Sequence, residues 1–196
     1  MKDKILIITP FLLLVFLFSC TPKDPSIRID YLVPSSSTEF NGKAVSLKIA
    51  DQREDKNILG PVAFGKFDKF NGKFSFAHKT KGAPLLGIYD APQLFKEAIK
   101  TRLSKQGLKF VDPAKKIPEL LIVIKTFSLE YKGSWKIKIS LEAHLNIEGK
   151  LVSRERINTS SETSGFKSHG IEQFENSFSE IINKLNINRL FKMSKI

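Results

Sequence analysis

The sequence predicts an α+β fold in which a mostly antiparallel β-sheet has two amphipathic helices packed on it, preceded by a lipoprotein signal peptide. Strand-like segments follow one another with few helices between them, an order that is typical of α+β folds. Two other segments repeat apolar residues every three or four positions, so each must bury an apolar stripe against the sheet. The chain has 196 residues, which is enough for one ordinary domain and a leader.

The N-terminal segment has the organisation of a signal peptide. Lys2 and Lys4 precede an apolar run over residues 5–19 that contains one proline. This run is shorter than the roughly 20 residues that a membrane-spanning helix needs. Because the run ends on a small residue directly before Cys20, it resembles the bacterial lipobox, and we expect residues 1–19 to be cleaved off. An uncleaved N-terminal anchor is the alternative.

Cys20 is the only cysteine of the chain, so an internal disulfide is excluded. In the lipobox interpretation it becomes the first mature residue and carries lipid. Residues 20–26 then form a lipidated, proline-containing tether, and residues 27–196 form a single α+β domain. The next residue is Thr21, whereas an aspartate there is the retention signal for the inner membrane in enteric bacteria. We therefore expect an outer-membrane lipoprotein that faces the periplasm.

Two strands begin the domain. Residues 27–33 alternate apolar and polar side chains, and residues 44–50 do so again after a polar loop. Asp51 and Arg53 follow the second strand one residue apart and share a face if the chain stays extended. They predict either a polar binding site at a sheet edge or, as we favour, a structural ion pair.

A phenylalanine-rich segment comes next, with five phenylalanines over residues 64–76. Asn71 and Gly72 are typical of a two-residue hairpin turn, because both positions of that turn require positive φ. We expect a hairpin with arms over 66–70 and 73–78. Its rings are expected to pack in the core, and an exposed aromatic patch is the alternative.

Two helices are predicted, one before and one after the long strands. Asp90 is a suitable N-cap, Gln93 completes a capping box, and Gly107 is typical of the residue that ends a helix. A short strand over 108–111 follows that helix. Apolar residues at helical spacing over 171–185 predict the second helix.

Three long strands lie between the helices, over residues 119–131, 135–148 and 150–163. The middle one alternates strictly, so its polar side chains share one face of the sheet. Basic side chains lie on that face and on the following strand, namely Lys136, Lys138, Arg154 and Arg156. They predict a basic patch for anionic lipid or glycan. The alternative, which we favour, is that these charged side chains only keep a solvent-exposed sheet face soluble and protect its edge from pairing with other strands.

No catalytic or metal-binding motif is recognisable. His78, His144 and His169 do not have the spacing of zinc ligands, and no nucleotide-binding or hydrolase signature occurs. We therefore expect no metal, no cofactor and no enzymatic activity. A cell-envelope hydrolase or cell-wall enzyme is the alternative, and it would need a cleft in which an acid and a base converge.

The net charge is +12, which favours acidic partners. Because the predicted signal peptide implies export, nucleic acid is not expected among them. The expected partners are membrane lipid through acylated Cys20 and then anionic lipid, lipopolysaccharide, peptidoglycan or another envelope protein.

The chain resembles the YajG-type family of bacterial outer-membrane lipoproteins. The resemblance is carried by Cys20, by "ADQR" at 50–53, by the helix that ends before Gly107, and by the strand "YKGSWKIKISLEAHLNI" at 131–147. It implies a lipid-anchored periplasmic domain. It implies little about activity, because that family is functionally uncharacterised. The predicted anchor, the basic charge and the absence of catalytic motifs instead lead us to predict a binding or scaffolding module of the cell envelope.

Overall fold

A computed structural model describes residues 26–67, 70–80 and 84–193. The predicted signal peptide and Cys20 lie outside these residues. The strands are β1 (Ile27–Tyr31), β2 (Ala44–Asp51), β3 (Phe74–His78), β4 (Leu85–Tyr89), β5 (Lys109–Phe110), β6 (Glu119–Tyr131), β7 (Trp135–Ile147) and β8 (Lys150–Thr163). The helices are α1 (Pro61–Lys66), α2 (Ala91–Lys105), α3 (Lys167–Lys184) and α4 (Ile187–Met193).

The strands form two mixed sheets. The larger has the order β5-β2-β6-β7-β8, in which β5, β2 and β6 are parallel and β6, β7 and β8 form a long antiparallel meander. The smaller has the order β1-β3-β4, with β1 parallel and β4 antiparallel to β3. The α+β prediction is confirmed, with antiparallel pairing in the longest strands and both predicted helices present.

One face of the larger sheet packs against the helices and forms one side of the hydrophobic core. Alternation along β7 places its apolar side chains on that face, where Trp135, Ile137 and Ala143 are fully buried. α3 lies on β7 and β8, and α2 lies on β2. Close approach is possible because α3 presents Gly170 to the Trp135 ring, which a Cβ would overlap.

Aromatic rings join the helices to both sheets. Phe127 of β6 lies 5.0 Å from Phe95 of α2 and 5.1 Å from Phe174 of α3, measured between ring centroids. Phe74 of the smaller sheet lies 5.5 Å from Phe127. These pairs are at the spacing of favourable ring contacts and add to the free energy gained by burying the rings.

The predicted hairpin with arms over 66–70 and 73–78 is wrong. Gly72 does have a positive φ of 80°, but Asn71 does not, and residue 66 of the predicted first arm belongs to α1. β3 pairs with β1 and β4 instead of with the residues before the turn, because Phe74 and Phe76 are drawn into the core between them.

The phenylalanine-rich segment divides between core and surface. Phe67, Phe74 and Phe76 are buried, which matches the expectation that these rings pack in the core. Phe64 is 53% exposed, so its ring does not pack in the core. The segment is therefore mostly core with one exposed ring.

Three elements were not predicted, namely α1, β4 and α4. The run over 85–89 is apolar without a clear period, and its Leu85, Leu86 and Ile88 remain exposed at the sheet edge. α4 adds Leu190 and Phe191 to the core after a break at the end of α3. Within the described part of the chain, no helix has the length and apolar character to cross a membrane.

Candidate functional site

The larger sheet has an open side, opposite the core, that we call the outer face. Strand alternation places Lys138, Arg154 and Arg156 on it, and all three are exposed. On the inner face of the same strands, Ile137 and Ile139 are buried beneath α3. The outer face is thus the broad polar surface that the fold presents.

Glu142 is the centre of a charged group on this face, the Glu142 cluster (Glu142, His144, Arg154 and Arg156). Arg156 donates to Glu142 Oε1 from Nε at 3.0 Å and from Nη2 at 2.6 Å, and Arg154 Nη2 donates to the same oxygen at 3.1 Å. His144 Nε2 lies 3.3 Å from Glu142 Oε2. Register explains the cluster, because Glu142 faces Arg156 and His144 faces Arg154 across β7 and β8.

The carboxylate of this cluster is covered by its own partners. Glu142 is only 4% exposed although it lies on an open sheet face. Hydrogen bonding from Arg156 lowers the pKa of Glu142, with His144 and the charge of Arg154 adding to the effect. Two cations against one anion leave the cluster with a net charge of +1 when His144 is neutral.

Lys136 and Lys138 lie apart from the arginines. Lys136 Nζ is 3.6 Å from Glu162 Oε2 on β8, and Lys138 has no ion-pair partner among the described residues. A hydrogen bond of 2.6 Å from Ser140 to Asn158 separates them from the Glu142 cluster. The four predicted basic residues therefore share one face but form two groups, and only one is held by a buried carboxylate.

Asp51 and Arg53 come together at the end of β2. Arg53 Nε donates to Asp51 Oδ1 at 2.9 Å and Nη2 donates to Oδ2 at 2.8 Å, which is a bidentate ion pair. The hydrogen bonds from Arg53 lower the pKa of Asp51 to about 2. Arg53 is 7% exposed and its Nη1 also donates to the carbonyl of Lys56 at 3.3 Å, so the pair closes the turn after β2.

A polar notch adjoins this pair. β2 ends at Asp51, and the chain returns to β6 only at Leu59, which pairs with Leu129. The gap is a cavity of about 480 Å³ beside the bulge in β6. Its lining comprises Gln52, Arg53, Glu54, Asp55, Asn57, Lys125, Thr126, Phe127, Ser128 and Glu130. Lys125 spans the notch by donating to Gln52 Oε1 at 2.7 Å.

Sequence reasoning missed the role of Glu142 and the buried Arg102. Glu142 and His144 were expected on the polar strand face, and the strand register would have been needed to pair them with the arginines. Arg102 lies on the apolar stripe of α2 and is 8% exposed. It donates from Nη1 to the carbonyl of Ile182 in the last turn of α3. The sequence did contain a signal of this burial, because Arg102 is a cationic residue at an apolar position of the helix.

In the part of the chain that the structure describes, no three His, Cys, Asp or Glu side chains gather as a metal site. His144 contacts one carboxylate, that of Glu142, which is already engaged by Arg154 and Arg156. The outer face therefore offers cationic donors rather than metal ligands.

Solved structures are similar to this chain. Protein XCC0632 from Xanthomonas campestris, of the DUF330 family, matches with a TM-score of 0.52 at 13% identity over 86% of this chain and 96% of that one. An uncharacterised protein matches with a TM-score of 0.48 at 12% identity over 86% and 99% of the two chains. Rare lipoprotein B from Shewanella oneidensis matches with a TM-score of 0.34 at 12% identity over 76% and 91%.

No protein-family model and no curated protein matches the chain. The Xanthomonas protein shows that the α+β fold also occurs in a DUF330 protein, and at 13% identity it shows the fold alone. The two weaker matches are too distant to support a further conclusion. Membership of the YajG-type family stays a prediction.

Proposed function

We propose that this chain is a lipid-anchored, periplasm-facing lipoprotein of the outer membrane that acts as a binding module through its outer face. The anchor is Cys20, as the lipobox pattern predicts. The expected ligand is an anionic component of the envelope, bearing phosphate or carboxylate groups. The overall charge of +12 is consistent with such a ligand.

The observation that carries this proposal is the geometry of the Glu142 cluster. The side chains of Arg154 and Arg156 are 48% and 59% exposed although Glu142 holds both. Arg156 uses Nε and one terminal nitrogen on Glu142, which leaves the N–H groups of its other terminal nitrogen available for an incoming anion. Guanidinium groups held in place lose less conformational entropy on binding than free side chains do.

The chemistry of the cluster favours binding over catalysis. Glu142 has both oxygens engaged and a pKa lowered by its partners, so it stays ionised and is a poor proton donor at neutral pH. Through its hydrogen bonds, Glu142 orients the side chains of Arg154 and Arg156. We therefore propose a non-catalytic role for the outer face.

Binding can be tested with purified full-length protein and two probes, lipopolysaccharide and peptidoglycan sacculi, by co-sedimentation at low and moderate salt. We expect retention by at least one probe, weakened by salt because charge screening opposes it. The variants Arg154→Gln with Arg156→Gln, and Lys136→Gln with Lys138→Gln, should each lower retention several-fold.

A matched control removes the same charge elsewhere. Lys96 and Lys105 are exposed on α2, which lies on the opposite side of the sheet from the outer face. Lys96→Gln with Lys105→Gln should leave retention near that of the unchanged protein. Equal losses in all three double variants would show that net charge alone binds the probes, and no retention at all would remove the proposal.

A further inference from the structure

Two exposed aromatic rings lie at one end of the domain, the end patch (Phe64 and Phe166). Their side chains are 53% and 81% exposed. Isolated apolar residues on a surface are ordinary, whereas clustered large ones indicate a contact surface.

Contacts beneath the end patch hold its members together. Phe64 is on α1, and its carbonyl accepts a hydrogen bond from Phe67 N at 3.0 Å. Lys167 Nζ lies 4.4 Å from the centre of the Phe67 ring, beside Phe166 in the chain. Trp135 packs 6.0 Å from Phe67 and donates from Nε1 to the carbonyl of Phe166 at 3.2 Å. Phe64 and Phe166 thus flank one buried pair of rings.

Phe166 occupies a position where folding alone would favour another residue. It is the N-cap of α3, a position at which Ser, Thr, Asp or Asn supplies a side-chain acceptor. The phenylalanine side chain cannot accept a hydrogen bond. The capping contact is instead a hydrogen bond that Phe166 N donates to His169 Nδ1 at 3.1 Å. The Phe166 ring stacks 6.2 Å from the ring of His169, which makes that capping contact, and most of its surface still remains in solvent.

Lysines surround the end patch. Lys66 Nζ lies 4.3 Å from the centre of the Tyr131 ring, and Lys132 is 74% exposed at the β6–β7 turn. With Lys167 they make three cations, against the carboxylate of Glu130, which is 3.4 Å from Lys132 Nζ. Exposed apolar side chains bordered by lysines match the boundary of an anionic bilayer, where rings enter the headgroup region and lysines meet phosphates.

The predicted tether leaves the domain at this same end. Ile27 N donates to the carbonyl of Lys73 at 3.2 Å, and Phe74, the next residue, begins β3. Phe70 connects these residues to the end patch, because its ring lies 5.5 Å from Phe74 and its N donates to Phe67 O. The six residues from Cys20 to Pro25 reach at most about 20 Å when extended, so a lipid on Cys20 would keep this end close to the bilayer.

We infer that the end patch docks on the surface of an anionic lipid bilayer, with Phe64 and Phe166 entering the headgroup region and Lys66, Lys132 and Lys167 contacting lipid phosphates. The orientation rests on the anchor proposed above for Cys20. Docking adds a second, reversible contact to the lipid and orients the outer face sideways, into the periplasm.

Depth measurement by spin labelling tests this inference on the full-length protein in vesicles of phosphatidylcholine with phosphatidylglycerol. Gly65→Cys labels α1 in open space, where a Cβ meets nothing within 4 Å. Lys115→Cys labels an exposed position before the start of β6, at the opposite end. For each label we measure the ratio of its accessibility to oxygen to its accessibility to a water-soluble nickel complex. We expect this ratio to be several-fold higher for the Gly65 label than for the Lys115 label. High salt or vesicles without phosphatidylglycerol should reduce that difference.

Substitution identifies the side chains responsible. Phe64→Ser with Phe166→Ser should abolish the difference, and folding should persist because both rings are exposed and serine suits an N-cap. Leu151→Ser with Val152→Ser is the control, since these residues are 54% and 38% exposed away from the end patch. It should leave the difference unchanged.

The outcomes separate docking from anchoring. Mass spectrometry of the same samples shows whether Cys20 carries lipid. A lipidated protein whose Gly65 and Lys115 labels are equally accessible to water would overturn docking and leave the anchor intact. Because a free Cys20 would also take the label, the protein without lipid carries Cys20→Ser. Contact of its Gly65 label with the bilayer would support docking independently of the anchor.

Discussion

Glu142 is covered on an open sheet face because Arg154, Arg156 and His144 all turn toward it. The strict alternation of β7 places Glu142 on that face, and the register with β8 brings the arginines opposite. A single carboxylate therefore decides whether two arginines are ordered or free. This is a residue-scale property with a direct consequence for binding.

We predict that Glu142→Gln destabilises the domain by about 1 kcal/mol, because charge-assisted hydrogen bonds are lost while the exposed arginines regain water. Urea unfolding at neutral pH measures the change. Glu162→Gln is the control, since Glu162 is an exposed partner of Lys136 on the same face and should change stability by less. Equal effects of the two substitutions would contradict a special role for Glu142.

Glu175 has the opposite electrostatic behaviour. Burial raises its pKa to about 7, and the charge of Asp30 adds to this effect, while Lys79 and Arg28 oppose it. Its Oε1 accepts from Asp30 N at 3.3 Å, where α3 crosses β1. Because the folded state holds this proton more tightly than the unfolded state, its contribution to stability is present below pH 4.5 and is lost as pH rises through 7.

We predict that Glu175→Gln removes this loss. Between pH 5 and pH 8 the unchanged protein should lose about 1 kcal/mol relative to the variant, after allowance for solvent screening of a partly exposed group. Urea unfolding at several pH values gives the two curves. Glu172→Gln, an exposed position on α3, should retain the parent pH dependence; parallel curves for Glu175→Gln and its parent would refute the assignment.

At the scale of elements, Arg102 joins α2 to α3. Its Nη1 donates to the carbonyl of Ile182, one of the four carbonyls at the end of α3 that lack a helical partner. Burial lowers the pKa of Arg102, and no acceptor among the described residues reaches its Nε. The hydrogen bond ties together two helices that otherwise meet mainly through apolar contacts.

Arg102→Ala should destabilise the domain by about 2 kcal/mol, the usual range for a buried hydrogen bond from a charged donor. Hydrogen exchange should show the largest increase at the end of α3. Lys105 is exposed on the same helix, so Lys105→Ala should change stability and hydrogen exchange little. A loss of protection confined to α2 would argue against the link.

The elements differ in how far the sequence predicts them, for physical reasons. β7 and β8 were predicted nearly to the residue, because a half-buried strand imprints a period of two over many positions. α1 and β4 were missed, since segments of six and five residues are too short to show a helical or a strand period. Of Asn71 and Gly72, only Gly72 has the positive φ that the predicted hairpin turn required, and the pairing of β3 depends on long-range burial of Phe74 and Phe76.

The candidate site was predictable in part. Asp51 and Arg53 were expected to share a face, and they form a bidentate pair. The basic residues were expected on one face, yet the capture of Arg154 and Arg156 by Glu142 depends on strand register, which one sequence does not reveal. The end patch joins residues about 100 positions apart, and nothing local indicates that they meet.

At the scale of the whole molecule, β7 runs from the tether end toward the opposite end, and β6 and β8 run the other way beside it. β7 has 13 residues and therefore spans about 40 Å. Lys136 lies near the end patch, and the Glu142 cluster lies further along the same face. A domain docked by its end patch would hold the cluster above the bilayer, where an anionic envelope component could reach it from the side.

The anchor at Cys20 is the central claim, because it sets the compartment, the orientation and the class of ligand. Mass spectrometry of the N-terminal peptide, from protein isolated in its native membrane fraction, tests it most directly. We expect a mature chain that begins at Cys20 and carries acyl groups. Recovery of residues 1–19 still attached, with an unmodified Cys20, would contradict it.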